Sequence, residues 1–347
     1  MQPYQENDPN HDSGSEQRPF APFVVNTLKV SRDCGLYFDS VSYNEKHDLI
    51  IACPTDNSVK FFDATTLLPS KRFKTQNLRH DVAKISFCSE TNTLIFGCQS
   101  GRIYSFNLSN KTLKKLERPI LMPLYGIVFI SSDHYAFSQY KSHQLDIGNL
   151  ENGDLFSFPL GKGDELDLYS LESLPKRSLL FSSLNDGSVV IHRTDCLPKL
   201  PILYAFKGNS GGLRRIQSVT IYGKEYIAAG SGSTIEIWHL IKGKMRRAKV
   251  VWTREEVKGM VYLENYKMIA TTHNTQEVRF WRLPSGKLEH TFHGSMRKYG
   301  NIFYMKEQNA LGVASLGLNI IEIIQLHPLV KERKASGVFE KSKCNVF

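Results

Sequence analysis

Within the 347 residues, the side chains with the types and spacings to do chemistry are glycine and serine turns, close histidines, and runs of arginine and lysine. The segment GSGSTI (230–235) opens like a dinucleotide-binding loop. It lacks the third glycine, and a strand-like run follows where a helix N-terminus would have to hold a pyrophosphate. No glycine-rich stretch ends in the Gly-Lys-Ser/Thr of a P-loop. VASLGL (313–318) has the wrong glycine spacing for a serine nucleophile elbow and no strand-to-helix setting. His290 and His293 lie three apart in a strand-like run, so their rings point to opposite faces and cannot share one metal ion. The carboxylates are not paired by any motif. No catalytic residue, cofactor site or metal site is expected, and the reading is not that of an enzyme.

Charge is more informative. The net charge is +10, unevenly spread. Residues 1–20 hold four acids against Arg18, and residues 326–347 hold five Lys/Arg against two Glu. Residues 209–250 carry eight Lys/Arg against Glu225 and Glu236. The basic rim Lys242, Lys244, Arg246, Arg247 and Lys249 has two readings. As an anion-binding surface it fits a phosphoinositide membrane or RNA. As lysine and arginine along a strand edge it prevents edge-to-edge pairing. Six cysteines are scattered without paired spacing, which points to reduced, mostly buried thiols. The last four residues, beginning at Cys344, fit a prenylation pattern with Lys341 and Lys343 beside it, which would place the chain at a membrane. Otherwise a cytoplasmic location is expected: the N-terminus has no apolar core, and runs such as GLNIIEII (317–324) are too short to cross a bilayer as helices.

The elements that must carry these residues are strands. Residues 1–20 have almost no apolar content and read as a disordered acidic leader. From residue 21 to 326, short runs of Val, Ile, Phe and Tyr alternate with Gly, Asn, Asp and Ser clusters, without helical periodicity. Seven segments share one pattern: VKFFD (59–63), IYSFN (103–107), QLDIG (144–148), VVIHR (189–193), IEIWH (235–239), VRFWR (278–282) and IEIIQ (321–325). Their penultimate residues recur at intervals of 41 to 46, and apolar runs precede each at steps of about ten residues. His192 occupies that penultimate position, which marks it as a core histidine packed between repeats. The expected fold is all-β, a seven-bladed β-propeller of four-stranded antiparallel blades. The seventh repeat lacks a fourth strand because HPLVKER (327–333) opens with proline and turns charged, whereas PFVVNTLKV (22–30) is a strand without a repeat. The N-terminal strand is therefore predicted to close the ring. Residues 327–347 read as a basic tail.

The repeat 255–294, with Trp281, the Ser285-Gly286 turn and the closing strand LEHTFHG, resembles the WD-repeat (WD40-type) family, and the resemblance extends over about residues 22–325. The Trp-Asp pair survives only as Phe62-Asp63, and Asp56 or Asp186 would be what remains of the family's hydrogen-bonded tetrad. The resemblance implies a non-catalytic scaffold that binds protein or peptide partners, within a multiprotein complex, through the loops of one face. Carried onto this register, that face would hold Arg79, His80, Tyr140, Lys141, Arg214, Arg215, Trp252, Arg254, His273, Arg297, Lys298 and Tyr299. The pair Arg214-Arg215 also bears a faint likeness to the paired arginines of phosphoinositide-binding propellers, with Ile216 where those have glycine.

Overall fold

The computed structural model describes residues 22–30, 38–116, 122–160, 166–208, 213–221, 224–241, 244–316 and 318–326. Within them 28 strands form seven sheets, each of four strands, and every strand pair is antiparallel, as in blade 6. The innermost strands of blades 1 to 7 are Phe38–Asn44, Val82–Cys88, Leu124–Phe129, Leu168–Leu174, Leu213–Ile221, Val257–Leu263 and Tyr299–Met305. Each packs on the inner strands before and after it, and the first packs on the last, so the blades close around a central axis.

The apolar pattern of each strand follows from its distance to that axis. Second strands such as Leu49–Pro54, Thr93–Cys98 and Ala310–Ser315 are buried at every position, because each face lies against a neighbouring blade. This is why they read as continuous hydrophobic runs rather than alternating ones. Fourth strands are different. Leu155–Pro159 and Ile202–Lys207 alternate between exposed and half-buried residues. The core consists of inter-blade layers, as where Leu49, Ile51 and Phe61 of blade 1 meet Leu94, Phe96 and Phe106 of blade 2. Of the described cysteines, Cys53, Cys88 and Cys98 are buried free thiols and Cys196 is exposed.

Blade 1 departs from the four-strand pattern at its outer edge. Its fourth strand shrinks to Gln76–Asn77, and residues 68–70 cover the rest of the third strand through Asp63 N–Leu68 O and Ser70 N–Phe61 O bonds. Pro69, which has no N–H to donate, splits that strand.

Ring closure is as expected. Phe23–Lys29 pairs antiparallel with Ile320–Gln325 and completes the sheet of blade 7. Leu28 and Val30, 4% and 6% exposed, enter the layer between blades 7 and 1 beside Ile50, Phe62, Phe303 and Ile323. The leader (1–20) and the tail (327–347) lie outside the described residues. A chain lacking residues 1–31 is expected to melt well below one lacking only 1–20. It loses two buried aliphatic side chains together worth about 3–6 kcal/mol and an entire strand ladder. Thermal melts by circular dichroism compare the two truncations, and equal melting temperatures would contradict this mode of closure.

Candidate interaction face

Two sets of turns converge on one face of the ring. The turn between the second and third strands of a blade bonds the segment that enters or leaves that blade. Examples are Gln99 N–Asp81 O, Tyr140 N–Pro123 O, Asn185 N–Asp167 O, Thr253 N–Ser233 O and Leu316 N–Lys298 O, all between 2.8 and 2.9 Å. On the opposite face the first–second turn accepts a bond from the third–fourth turn, as in Ala64 N–Asp48 O and Leu283 N–Lys267 O. There Asp48, Asn92, Ser178, Lys267 and Asn309 adopt left-handed backbone conformations with φ of 49–58°, so this turn geometry recurs from blade to blade.

Most of the predicted face residues are presented there. Arg79, Tyr140, Lys141, Trp252, Arg254, Arg297 and Lys298 are exposed, and His80 is half-buried near the Tyr104 ring. Trp252 is 70% exposed at the loop-face end of its strand. Arg215 is half-buried in the inner strand of blade 5, where its Nε donates to the Lys258 carbonyl at 2.9 Å. Arg214 lies in the same strand.

His273 and Tyr299 are corrections. Both are fully buried and present nothing to a partner. Tyr299 closes the inner strand of blade 7 by donating its hydroxyl to the buried Glu322 carboxylate, and burial raises its pKa above the usual phenol range. His273 belongs to an internal network: Trp281 Nε1 donates to Thr271 Oγ1 at 2.8 Å, which lies 3.0 Å from His273 Nε2. Burial first, then the Arg279 charge, lowers the His273 pKa to about 4. Neither Asp56 nor Asp186, the expected remnants of the tetrad, belongs to this network. Asp56 and Asp186 instead close their own turns by accepting from the backbone N–H of Ser58 and Ser188. His192 is buried as expected, with Nε2 at 3.2 Å from Ser182 Oγ.

The basic strand Lys244–Trp252 forms the outer edge of blade 5. Arg246 and Lys249 are exposed there. Arg247 is exposed as well, while its guanidinium lies 5.8 Å from the centre of the Trp238 ring and 4.0 Å from the buried Glu236 carboxylate. Lys242 and Cys344 lie outside the described residues. Among the described residues no helix is long and apolar enough to cross a membrane, and no three His, Cys, Asp or Glu side chains are grouped to hold a metal ion.

Residue patterning alone did not reveal the mouth of the central channel. Near its loop-face end every inner strand has a register irregularity, between Val82 and Lys84, Leu124 and Gly126, Leu168 and Ser170, Leu213 and Arg215, and Val257 and Gly259 in blades 2 to 6. These bulges turn extra side chains toward the axis. Lys84, Gln99, Tyr125, Tyr169, Arg215 and Lys258 line a cavity of about 360 Å³ there. The signal available in the sequence was positional: Tyr125, Tyr169 and Lys258 each follow the opening residue of an inner strand.

No protein-family model matches the chain, and no curated protein matches it. Among solved structures it is similar to the β-propeller domain of Cps50 (Swd1) from Myceliophteria thermophila, with a TM-score of 0.73 at 14% identity over 88% of this chain and 100% of that one. The likeness supports the β-propeller fold.

Burial lowers the His192 pKa to about 4, whereas in the unfolded chain it titrates near 6.5. The folded state thus binds this proton more weakly. The site's contribution to stability is complete above about pH 6.5 and is lost as pH falls toward about 4. At about pH 5 that loss is about 2 kcal/mol. His192→Gln, whose amide can still meet Ser182, is expected to lose less stability between about pH 7 and about pH 5. Urea unfolding at the two pH values measures the difference, and identical pH dependence in both proteins would contradict the assignment.

Proposed function

We propose that this chain is a non-catalytic WD-repeat-like scaffold that binds protein or peptide partners, within a multiprotein assembly in the cytoplasm, through the loop face of its propeller. The observation that carries this reading is the placement of exposed apolar side chains. Met122, Tyr140, Trp252, Leu316 and Leu318 are each at least 36% exposed and belong to the loop face. Among the described residues the opposite face has Leu68. The remaining large exposed apolar residues, Leu113, Leu155, Ile202, Leu203 and Leu288, lie on outer strands. Large apolar and aromatic side chains left in water and flanked by arginines are the residue types that dominate protein interfaces. Arg254 follows Trp252 by two residues on the loop that enters blade 6, and Arg297 lies on the loop that enters blade 7.

The experiment is affinity purification of the full chain followed by cross-linking mass spectrometry of what it retains. Cross-links are expected at Lys141 and Lys298 on the loop face rather than at Lys46, Lys267 and Lys306 opposite. The triple variant Trp252→Ala, Arg254→Glu, Arg297→Glu is expected to lower partner recovery by roughly tenfold or more while leaving the melting temperature unchanged. Cross-links confined to the opposite face, or undiminished recovery by a folded triple variant, would falsify the loop-face reading.

A further inference from the structure

The charged residues that line the channel mouth are all cations. Of the residues that line it, Lys84, Arg215 and Lys258 are cationic and none is a carboxylate. Two of the cations are anchored. Arg215 Nε donates to the Lys258 carbonyl oxygen, and the Lys258 ammonium lies 2.6 Å from Glu256. Their positions are set before any ligand arrives, which reduces the ordering cost of binding. Phenols complete the wall: the Tyr125 ring meets Tyr169 edge-on at 5.7 Å and Tyr140 at 5.5 Å.

An aromatic trio can also receive a cation. Here that ligand is disfavoured, since the Lys141 ammonium already sits 5.2 Å from the centre of the Tyr140 ring and three cations face the cavity. The lining at the far ends of the inner strands is different. A second cavity of about 250 Å³, at the far ends of the inner strands of blades 2 to 4, is lined by Glu90 and Glu172 and by no cation. Burial pushes the Glu172 carboxyl up to about 7, so of the two cavities only the loop-face mouth offers cationic lining to an anion entering along the axis. The mouth has the volume of a small ligand site, recessed within loops whose exposed Trp252, Leu316 and Leu318 offer apolar contact to a chain laid across them. A flat bilayer cannot follow that contour, and an extended peptide can.

We infer that the loop-face mouth of the central channel receives an anionic side chain, a carboxylate or a phosphate, from an acidic segment of a protein partner. The inference rests on the loop-face reading above and deepens it by giving the partner's chemistry.

The test uses the full chain and two fluorescein-labelled decapeptides, one of glutamates and one neutral except for a central phosphoserine, with fluorescence anisotropy as readout. Binding of at least one is expected, weakening several-fold between about 50 and about 300 mM salt. Lys84→Ala with Lys258→Ala is expected to weaken it by about tenfold or more, whereas Arg246→Ala with Lys249→Ala on the outer strand leaves it unchanged. Preference for one peptide assigns the anion as carboxylate or phosphate. No binding of either peptide, binding lost in the outer-strand variant, or wild-type affinity in the channel variant overturns the inference. Binding of single-stranded RNA or anionic vesicles in place of both peptides overturns it equally. If the channel variant fails to fold, lysine acetylation footprinting of the wild type decides: bound peptide must slow labelling of Lys84 and Lys258, and unchanged labelling rejects the site. Failure of the loop-face reading alone is distinguishable. In that case the channel variant loses peptide while partner recovery ignores the Trp252, Arg254 and Arg297 substitutions.

Discussion

A blade of this protein cannot bury its own faces, and the rest of the structure follows from that. A four-stranded sheet has two faces, and in each blade the second strand is apolar on both. Leu49–Pro54 illustrates the point: alternate residues pack into different inter-blade layers, Ile50 and Ala52 toward blade 7, Leu49 and Ile51 toward blade 2. Stability is therefore held in interfaces between repeats, and a row of repeats with open ends would leave two such faces in water. The pairing of Phe23–Lys29 with Ile320–Gln325 resolves this by joining the two ends of the chain in one sheet. Leu28 then serves the same layer as Phe62 and Phe303, residues from opposite ends of the propeller sequence.

Once the ring is closed, few backbone positions are free to vary without disturbing a layer. Turns are free, and so are the starts of the inner strands, where the ladder is interrupted. The interruption at the same level in successive blades lets side chains of unlike chemistry meet at the axis: Lys84, Tyr125, Tyr169, Arg215 and Lys258 come from five different blades. A site assembled this way has a rigid backbone beneath each side chain. Most of its lining comes as one or two residues per repeat, against a background of repeats that differ little in architecture.

The fold was legible because burial on both faces leaves a plain mark. Runs such as LIIAC and TLIFGC can only be strands with apolar layers on each side, and the spacing of Phe62, Phe106, Ile147, His192, Trp238, Trp281 and Ile324 gives the blade count. Exposed loop cations were legible for the same reason, since Arg254 and Arg297 fall between strands. The assignment failed where strand ends were mistaken for loops: His273 is the last residue of a second strand and Tyr299 the first of an inner strand, both drawn inward by the ladder. The channel mouth was not legible, because a bulge is one extra residue in a strand and leaves no compositional trace. Arg247 shows the limit from the other side. It is exposed like Arg246 beside it, but next to the register shift at Ile237 and Trp238 its guanidinium also lies 5.8 Å from the Trp238 ring, a cross-strand contact that a run of basic residues does not announce.

A buried carboxylate and a half-buried guanidinium tie down two of the loops on this face. Two residues before the penultimate position of their segments, Arg279 and Glu322 project from third strands into the space beneath the loops. Glu322 accepts from the Ser295 backbone N–H, the Ser295 hydroxyl and Tyr299, which fixes both ends of the loop that presents Arg297 and Lys298. Arg279 donates to the Thr253 carbonyl and pairs with Glu277 and Glu255, which fixes the loop that presents Arg254. Placing such groups out of water is costly unless each lone pair or proton finds a partner. Here the partners are the backbone and side chains of the loops themselves, so the cost of burial is offset only when those loops take up one conformation. The charged residues beneath the face thus favour one geometry for the loops that carry Arg254 and Arg297.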